Sequence, residues 1–195
     1  IPVCLPLKKE GGYYEIDYSG MEKKIMEESV KVLIFCSPHN PTGRVWKEEE
    51  LRTVARICRK YDVPIICDEI HQDLLRKGNV HIPLAKLYPA ADWIYTCTAP
   101  SKTFNMAGNH LANIFIPNKK VKEIWEDRYY YLPNALSVTA TQAAYDQGEA
   151  WVEQLNQYLD GNFFYMKEFL SKHLPQIEFE IPEGTYLAWF DMGVS

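Results

Sequence analysis

Hydrophobic positions in the first part of the chain fall into short continuous runs, each followed by a polar or amphipathic stretch. Val32–Cys36, Pro64–Cys67, Trp93–Thr96 and Leu111–Ile116 are apolar throughout or nearly so and are bounded by turn residues. Runs of this length predict strands buried on both faces. Between the first two, Lys47 to about Tyr61 places Leu51, Val54, Ala55 and Cys58 at helical spacing with its charges opposite, which predicts an amphipathic helix. Upstream, Tyr13 to Asp17 alternates in part, and Ser19-Gly20-Met21-Glu22 has the form of a capping box opening a helix to about Ser29. Strand, helix, strand, connection, strand is the order of an α/β domain with a mainly parallel sheet and right-handed crossovers. In such sheets ligands sit beyond the carboxyl ends of the strands.

The later part of the chain is more helical. Asn118 is placed to cap a helix in which Val121, Ile124, Trp125, Arg128, Tyr129 and Leu132 keep helical spacing up to Pro133. A second helix is expected over Ser137–Gln147. A long third one, from about Glu149 to Lys172, carries Trp151, Leu155, Leu159, Met166, Phe169 and Leu170, positions that read as core. Ile177, Phe179 and Ile181 then alternate, and Thr185 to Met192 reads as a further strand. The shift predicts that residues 1–148 belong to a large α/β domain and that 149–195 hold a connecting helix and the start of a smaller α+β domain. The abrupt first and last residues lead us to expect an internal piece of a longer protein.

Composition narrows the function classes. The 195 residues are 47% hydrophobic, enough for a sizeable core. A net charge of -5 without a basic cluster argues against a nucleic-acid surface. No apolar run approaches a membrane span, and the first residues do not resemble a signal peptide. Five cysteines, Cys4, Cys36, Cys58, Cys67 and Cys97, lack the spacing of a metal site and are odd in number, which favours reduced thiols in a cytoplasmic protein.

The candidate chemistry follows the strand-like runs. Lys102 stands among small and polar residues after Trp93–Thr96; a lysine in a loop is most often a surface charge, but an amine held at a strand end can act as a nucleophile toward carbonyls. Asp68 follows a buried run directly, where a carboxylate needs a partner; a salt bridge, a helix cap and a bond to a protonated heterocycle nitrogen all satisfy that need. Asn40 lies in the Pro-rich loop 37–43, as a turn residue or as an amide donor. His71, three residues after Asp68, either caps the strand end or supplies a second donor.

Four stretches together carry a resemblance: Ser-Pro-His-Asn-Pro-Thr-Gly-Arg-Val-Trp (37–46), Asp-Glu-Ile-His (68–71), Ala-Pro-Ser-Lys-Thr-Phe-Asn-Met-Ala-Gly (99–108) and Pro-Glu-Gly-Thr-Tyr-Leu-Ala-Trp (182–189). In this order they resemble the class I/II aminotransferase superfamily, and more narrowly its cystathionine β-lyase-like carbon–sulfur lyases of the MalY/PatB type. The resemblance implies fold type I, a large domain on a mostly parallel sheet with helices on both faces, a smaller terminal domain and a homodimer. It implies pyridoxal 5'-phosphate held covalently by Lys102, with Asp68 on the pyridine nitrogen and Asn40 on the ring oxygen. His71 stands where many aminotransferases have a tyrosine on that oxygen. His110 stands where the usual signature has an arginine to the phosphate, and Ala99 replaces the usual serine, leaving Thr98 and Ser101 as hydroxyl donors to the phosphate. The implied reaction is cleavage of cysteine thioether amino acids, with transamination as the alternative and a non-catalytic regulatory or binding protein on the same fold as a more distant one. The family's glycine-containing phosphate turn and its substrate-carboxylate arginine are not found in these residues.

Overall fold

The computed structural model describes residues 1–129 and 132–192. Its centre is a four-stranded sheet in which order in space follows order in sequence: β3 (Leu33–Cys36), β4 (Ile65–Asp68), β5 (Ile94–Thr98) and β6 (Asn113–Phe115). The first three are parallel, and β6 runs antiparallel to β5. A two-stranded antiparallel hairpin, β1 (Lys8–Glu10) with β2 (Tyr13–Glu15), precedes the sheet. Leu33, Ile65 and Ile94 lie side by side, as do Phe35, Cys67 and Thr96, and these two rows share one face because side chains alternate along a strand.

That face is covered by helices. α1 (Tyr18–Glu27) contributes Met21 and Ile25, and α2 (Glu48–Lys60) contributes Leu51, Val54, Ala55 and Cys58, all four without solvent exposure. α3 (Leu84–Leu87) adds Leu84. Removing the Leu51 side chain from water is worth about 1.5–3 kcal/mol, so this stripe accounts for much of α2's hold on the sheet. The opposite face is thinner. Ile34 there is 74% exposed and Ile114 44%, so β3 is buried on one face and not on both.

α1 starts two residues earlier than the capping-box pattern implies. Asp17 is its cap, accepting from the Gly20 amide at 3.0 Å, and Ser19 lies inside the helix donating to the same carboxylate at 2.9 Å. Asn118 does cap α5 (Lys119–Arg128), accepting from the Val121 amide at 3.1 Å. The helical spacing expected to continue to Leu132 stops at Arg128; part of that stretch lies outside the described residues. α6 (Ala135–Gln147) and α7 (Glu149–His173) follow. Beyond α7 the alternation is real but no ladder forms among the described residues. Ile177 and Phe179 are buried against Phe163 and Leu170 of α7, while Glu178 and Glu180 are exposed. Among the described residues no strand forms over the expected Thr185–Met192, and an isolated bridge, Leu75 with Gly184, stands just before it.

Candidate active site

The parallel register places Cys36, Asp68 and Cys97 side by side at the carboxyl ends of β3, β4 and β5. Each strand then gives way to a turn. After β3, Asn40 sits exposed with its backbone amide directed at the Cys36 sulfur at 3.4 Å, so this loop folds back over the strand end beside Asp68. The loop is shaped by the His39 imidazole on the Thr42 hydroxyl at 2.8 Å and by a turn from Gly43 N–H to His39 C=O at 2.7 Å. Gly43 has φ +71°, and a Cβ there would strike Pro182 at 2.3 Å, so a side chain is excluded on both counts.

After β4 the chain turns within three residues. The Asp68 carboxylate accepts from the Ile70 amide at 3.1 Å, its single hydrogen bond among the described residues. Its neighbour Glu69 points the other way, into the structure, where it accepts from Leu84 N–H at 3.0 Å and meets His81 Nε2 at 3.0 Å. Of the two adjacent carboxylates, Glu69 is therefore a brace for the α3 turn and Asp68 faces the site. His71 is 1% exposed, and neither ring nitrogen finds a partner among the described residues. Burial first, and then the positive charge of Lys102, hold its pKa below the usual histidine range, with Asp68 pulling the other way. The imidazole is thus neutral near pH 7, and the three groups act on one another at the same sheet edge.

After β5 the residues that looked like a loop form one helical turn, α4 (Pro100–Thr103), with the proline at its first position where no N–H is required. Lys102 lies on this turn, half-buried. The turn is held from below: Thr103, 1% exposed, donates to Asp73 at 2.8 Å, and Asn156 of α7 donates to the Asp73 carbonyl at 2.8 Å. Ser101 shares the α4 turn. Thr98 ends β5 and its hydroxyl accepts from Asn113 at 3.3 Å. His110 is exposed and left-handed, at φ 49°.

Sequence reasoning assigned no role to the parts that wall this edge. Arg44, 3% exposed, reaches Glu50 and Glu183 at 3.0 Å and donates to the Tyr14 carbonyl. Tyr186 packs edge-on against His71 with ring centroids 5.6 Å apart. The nearest legible signal for both was their place inside stretches 37–46 and 182–189. An open groove of about 970 Å³ lined by Arg52, Arg56, Tyr88 and Trp93 lies instead beside the amino end of β5, away from Lys102 and Asp68. Its arginines are largely matched by exposed carboxylates, Arg52 by Glu48 and Arg59 by Asp62, so the chemistry belongs to the strand ends.

The three-stranded parallel edge thus presents a carboxylate, a buried imidazole and an amine. The model for aminotransferase class I and II matches residues 5–195, and the chain belongs to this family. The cystathionine β-lyase PatB of Bacillus subtilis is 39% identical over 191 residues, covering 95% of this chain and 49% of PatB. The PLP-bound C–S lyase of Staphylococcus hominis superposes with a TM-score of 0.95 at 51% identity, over 97% of this chain and 48% of that one. Cystalysin of Treponema denticola, solved with pyridoxal 5'-phosphate, gives 0.90 at 37% identity over 95% and 48%. The chain therefore has the fold of the fold type I enzymes, and it spans about half the length of these relatives. No described helix is long and apolar enough to cross a membrane.

Proposed function

We propose that the protein to which these residues belong is a pyridoxal-phosphate-dependent carbon–sulfur β-lyase that cleaves cysteine thioether amino acids, such as cystathionine, to pyruvate, ammonia and a thiol. The observation that carries the reading is His71: a buried, neutral imidazole with both nitrogens unpartnered among the described residues, under the charges of both Asp68 and Lys102. A buried polar ring without partners is costly unless a ligand satisfies it. A planar, anionic heterocycle with a ring nitrogen and a ring oxygen fits these groups. Bound pyridoxal phosphate supplies an electron sink for the pair left behind when the substrate's Cα proton departs.

The chain's own residues then divide the work. Lys102 Nζ would hold the cofactor covalently and, as a free amine, would accept the substrate's Cα proton. Asp68 would hold a negative charge against the ring nitrogen and so favour its protonated form. Asn40, from its side-chain amide, and His71 would serve the ring oxygen. Thr98 at the end of β5 and Ser101 in α4 would offer hydroxyls to the phosphate. Residues 1–148 are part of the large domain in this reading, and 149–195 hold the connecting helix and the beginning of the small one. The full protein is a cytoplasmic homodimer.

PatB and the Staphylococcus hominis enzyme, both named as lyases, are more similar to this chain, at 39% and 51% identity, than a human kynurenine–oxoglutarate transaminase at 31%, and this supports cleavage over the other outcome that uses the same residues. Transamination, the activity for which the family is named, is the second reading. Full-length protein incubated with cystathionine and 2-oxoglutarate separates them. Pyruvate and thiol in equal amounts, well above any glutamate, are expected. Stoichiometric glutamate without pyruvate would move the protein to the aminotransferases.

A further inference from the structure

The site has a wall that no strand end supplies, built by Pro182–Tyr186. Glu183 accepts from Arg44 Nε at 3.0 Å and from Val45 N–H at 2.8 Å on one oxygen, and from the Tyr13 hydroxyl at 3.3 Å on the other. Arg44 is braced in turn by both oxygens of Glu50 at 3.0 Å and by the Tyr13 and Trp46 rings, 4.0 and 4.6 Å from its guanidinium. Burial alone would lower the pKa of Arg44, but these carboxylates outweigh it and hold the charge firmly. The backbone is pinned as well: Gly184 N–H donates to Gly43 C=O at 2.8 Å, Thr185 N–H to Leu74 C=O at 2.7 Å, and Arg76 N–H to Glu183 C=O at 2.9 Å. A Cβ on Gly184 would meet Val45 at 2.9 Å and the Leu74 carbonyl at 3.2 Å.

Thr185 is fully buried with φ 68°, a left-handed turn that a β-branched residue rarely takes. The turn delivers the next side chain onto His71. Tyr186 meets the imidazole edge-on at 74°, and no hydrogen bond joins its hydroxyl to either ring nitrogen. The contact is one of ring on ring. Tyr186 itself is 38% exposed, so it stands between His71 and solvent.

We propose that Tyr186 is a positioning residue for His71: held by the Arg44–Glu183 clamp, its ring shields the imidazole from water and fixes its orientation at the cofactor. The role of His71 rests on the function proposed above; the shielding is a property of this chain alone. The charged and titratable groups facing His71 are Asp68 from the end of β4, Lys102 from α4 and Tyr186 from the clamped segment. Burial is the main cause of its lowered pKa, so admitting water moves that pKa up toward the ordinary value. His71 then becomes charged at a pH where it was neutral, and any step that needs the neutral ring fails earlier as pH falls.

The test uses full-length protein with labelled histidine, His71 being assigned by loss of its signal in His71→Gln. Tyr186→Phe keeps the ring and is expected to titrate like the parent. Tyr186→Ala is expected to shift the His71 titration upward and to move the acid limb of kcat/KM upward by the same amount. Glu183→Gln, which loosens the clamp without touching the ring, is expected to shift it in the same direction by less, and it serves if Tyr186→Ala does not fold. An unmoved His71 titration in both loosened variants overturns the proposal, as does a Tyr186→Phe protein that behaves like Tyr186→Ala. A shifted titration in an enzyme that makes no pyruvate would sink the lyase reading and leave this one standing; pyruvate formation with an unmoved titration does the reverse.

Discussion

α2 and α7 show how differently two helices of one chain spend their apolar residues. α2 has thirteen residues, and its four buried positions carry no solvent exposure at all. α7 has twenty-five, yet only Phe163 and Leu170 are buried, while Tyr158, Phe164 and Tyr165 are each more than 60% exposed. The difference is one of pattern. In α2 the apolar residues form a single stripe with charges opposite, so one sheet face satisfies them; in α7 aromatic residues stand all round the axis, and no single neighbour can cover them. The candidate site lies at the carboxyl edge of the sheet that α2 packs against, and α7 reaches it through Asn156 on Asp73.

If α2 holds the sheet and the chemistry stands at the sheet's edge, changes at the strand ends should strike turnover while leaving the fold in place. Lys102→Ala in the full-length protein is expected to lose on the order of 10²–10⁴-fold in turnover from proton transfer alone, and Asp68→Asn about 10²–10³-fold from lost charge stabilisation. Circular dichroism should be unchanged in both, and a parent-like rate in either would remove that residue from the site. The packing contrast is tested by truncation. Leu51→Ala is expected to cost about 2–5 kcal/mol in denaturant unfolding, whereas Tyr165→Ala on α7 should stay within about 0.5 kcal/mol. Equal costs would show that the outer face of α7 is covered in the whole protein. The smallest effect concerns Asp17, the α1 cap. Its bond from Lys8, then those from Gly20 and Ser19, draw its pKa down to about 2. Because this lies below the ordinary carboxylate value, its contribution is present above about pH 4 and is lost as pH falls toward 2. Asp17→Asn should flatten that acid dependence in thermal melts while leaving stability at pH 2 nearly unchanged.

The same contrast governs what could be read from the residues. β3, β4 and β5 were legible because a short continuous apolar run that ends in a polar cluster fits little besides a buried strand, and α2 because its stripe is clean. With those placed, the strand-end positions of Asn40, Asp68 and Lys102 followed. β1 was not legible: Lys8-Lys9-Glu10 has no apolar pattern and pairs only through its backbone. The helical turn around Lys102 was hidden because small residues and a proline look like a loop until Thr103 finds Asp73. The alternation at Ile177, Phe179 and Ile181 gave the right burial and the wrong element, since alternation reports which side is covered and not whether a neighbouring strand exists. Tyr186 and Arg44 escaped because their meaning depends on a partner far along the chain.

That distance has a consequence for synthesis. Arg44 and Glu183 are separated by 139 residues, and the clamp also draws in Tyr13 from near the start. Strands β3 to β5 and α2 can dock as soon as they leave the ribosome, because their contacts are local. Closing a loop of this length is slow relative to local pairing. A nascent chain will therefore carry Asp68, His71 and Lys102 on a formed sheet edge before Tyr186 exists to cover the imidazole, and competence for the cofactor should trail formation of the sheet during translation.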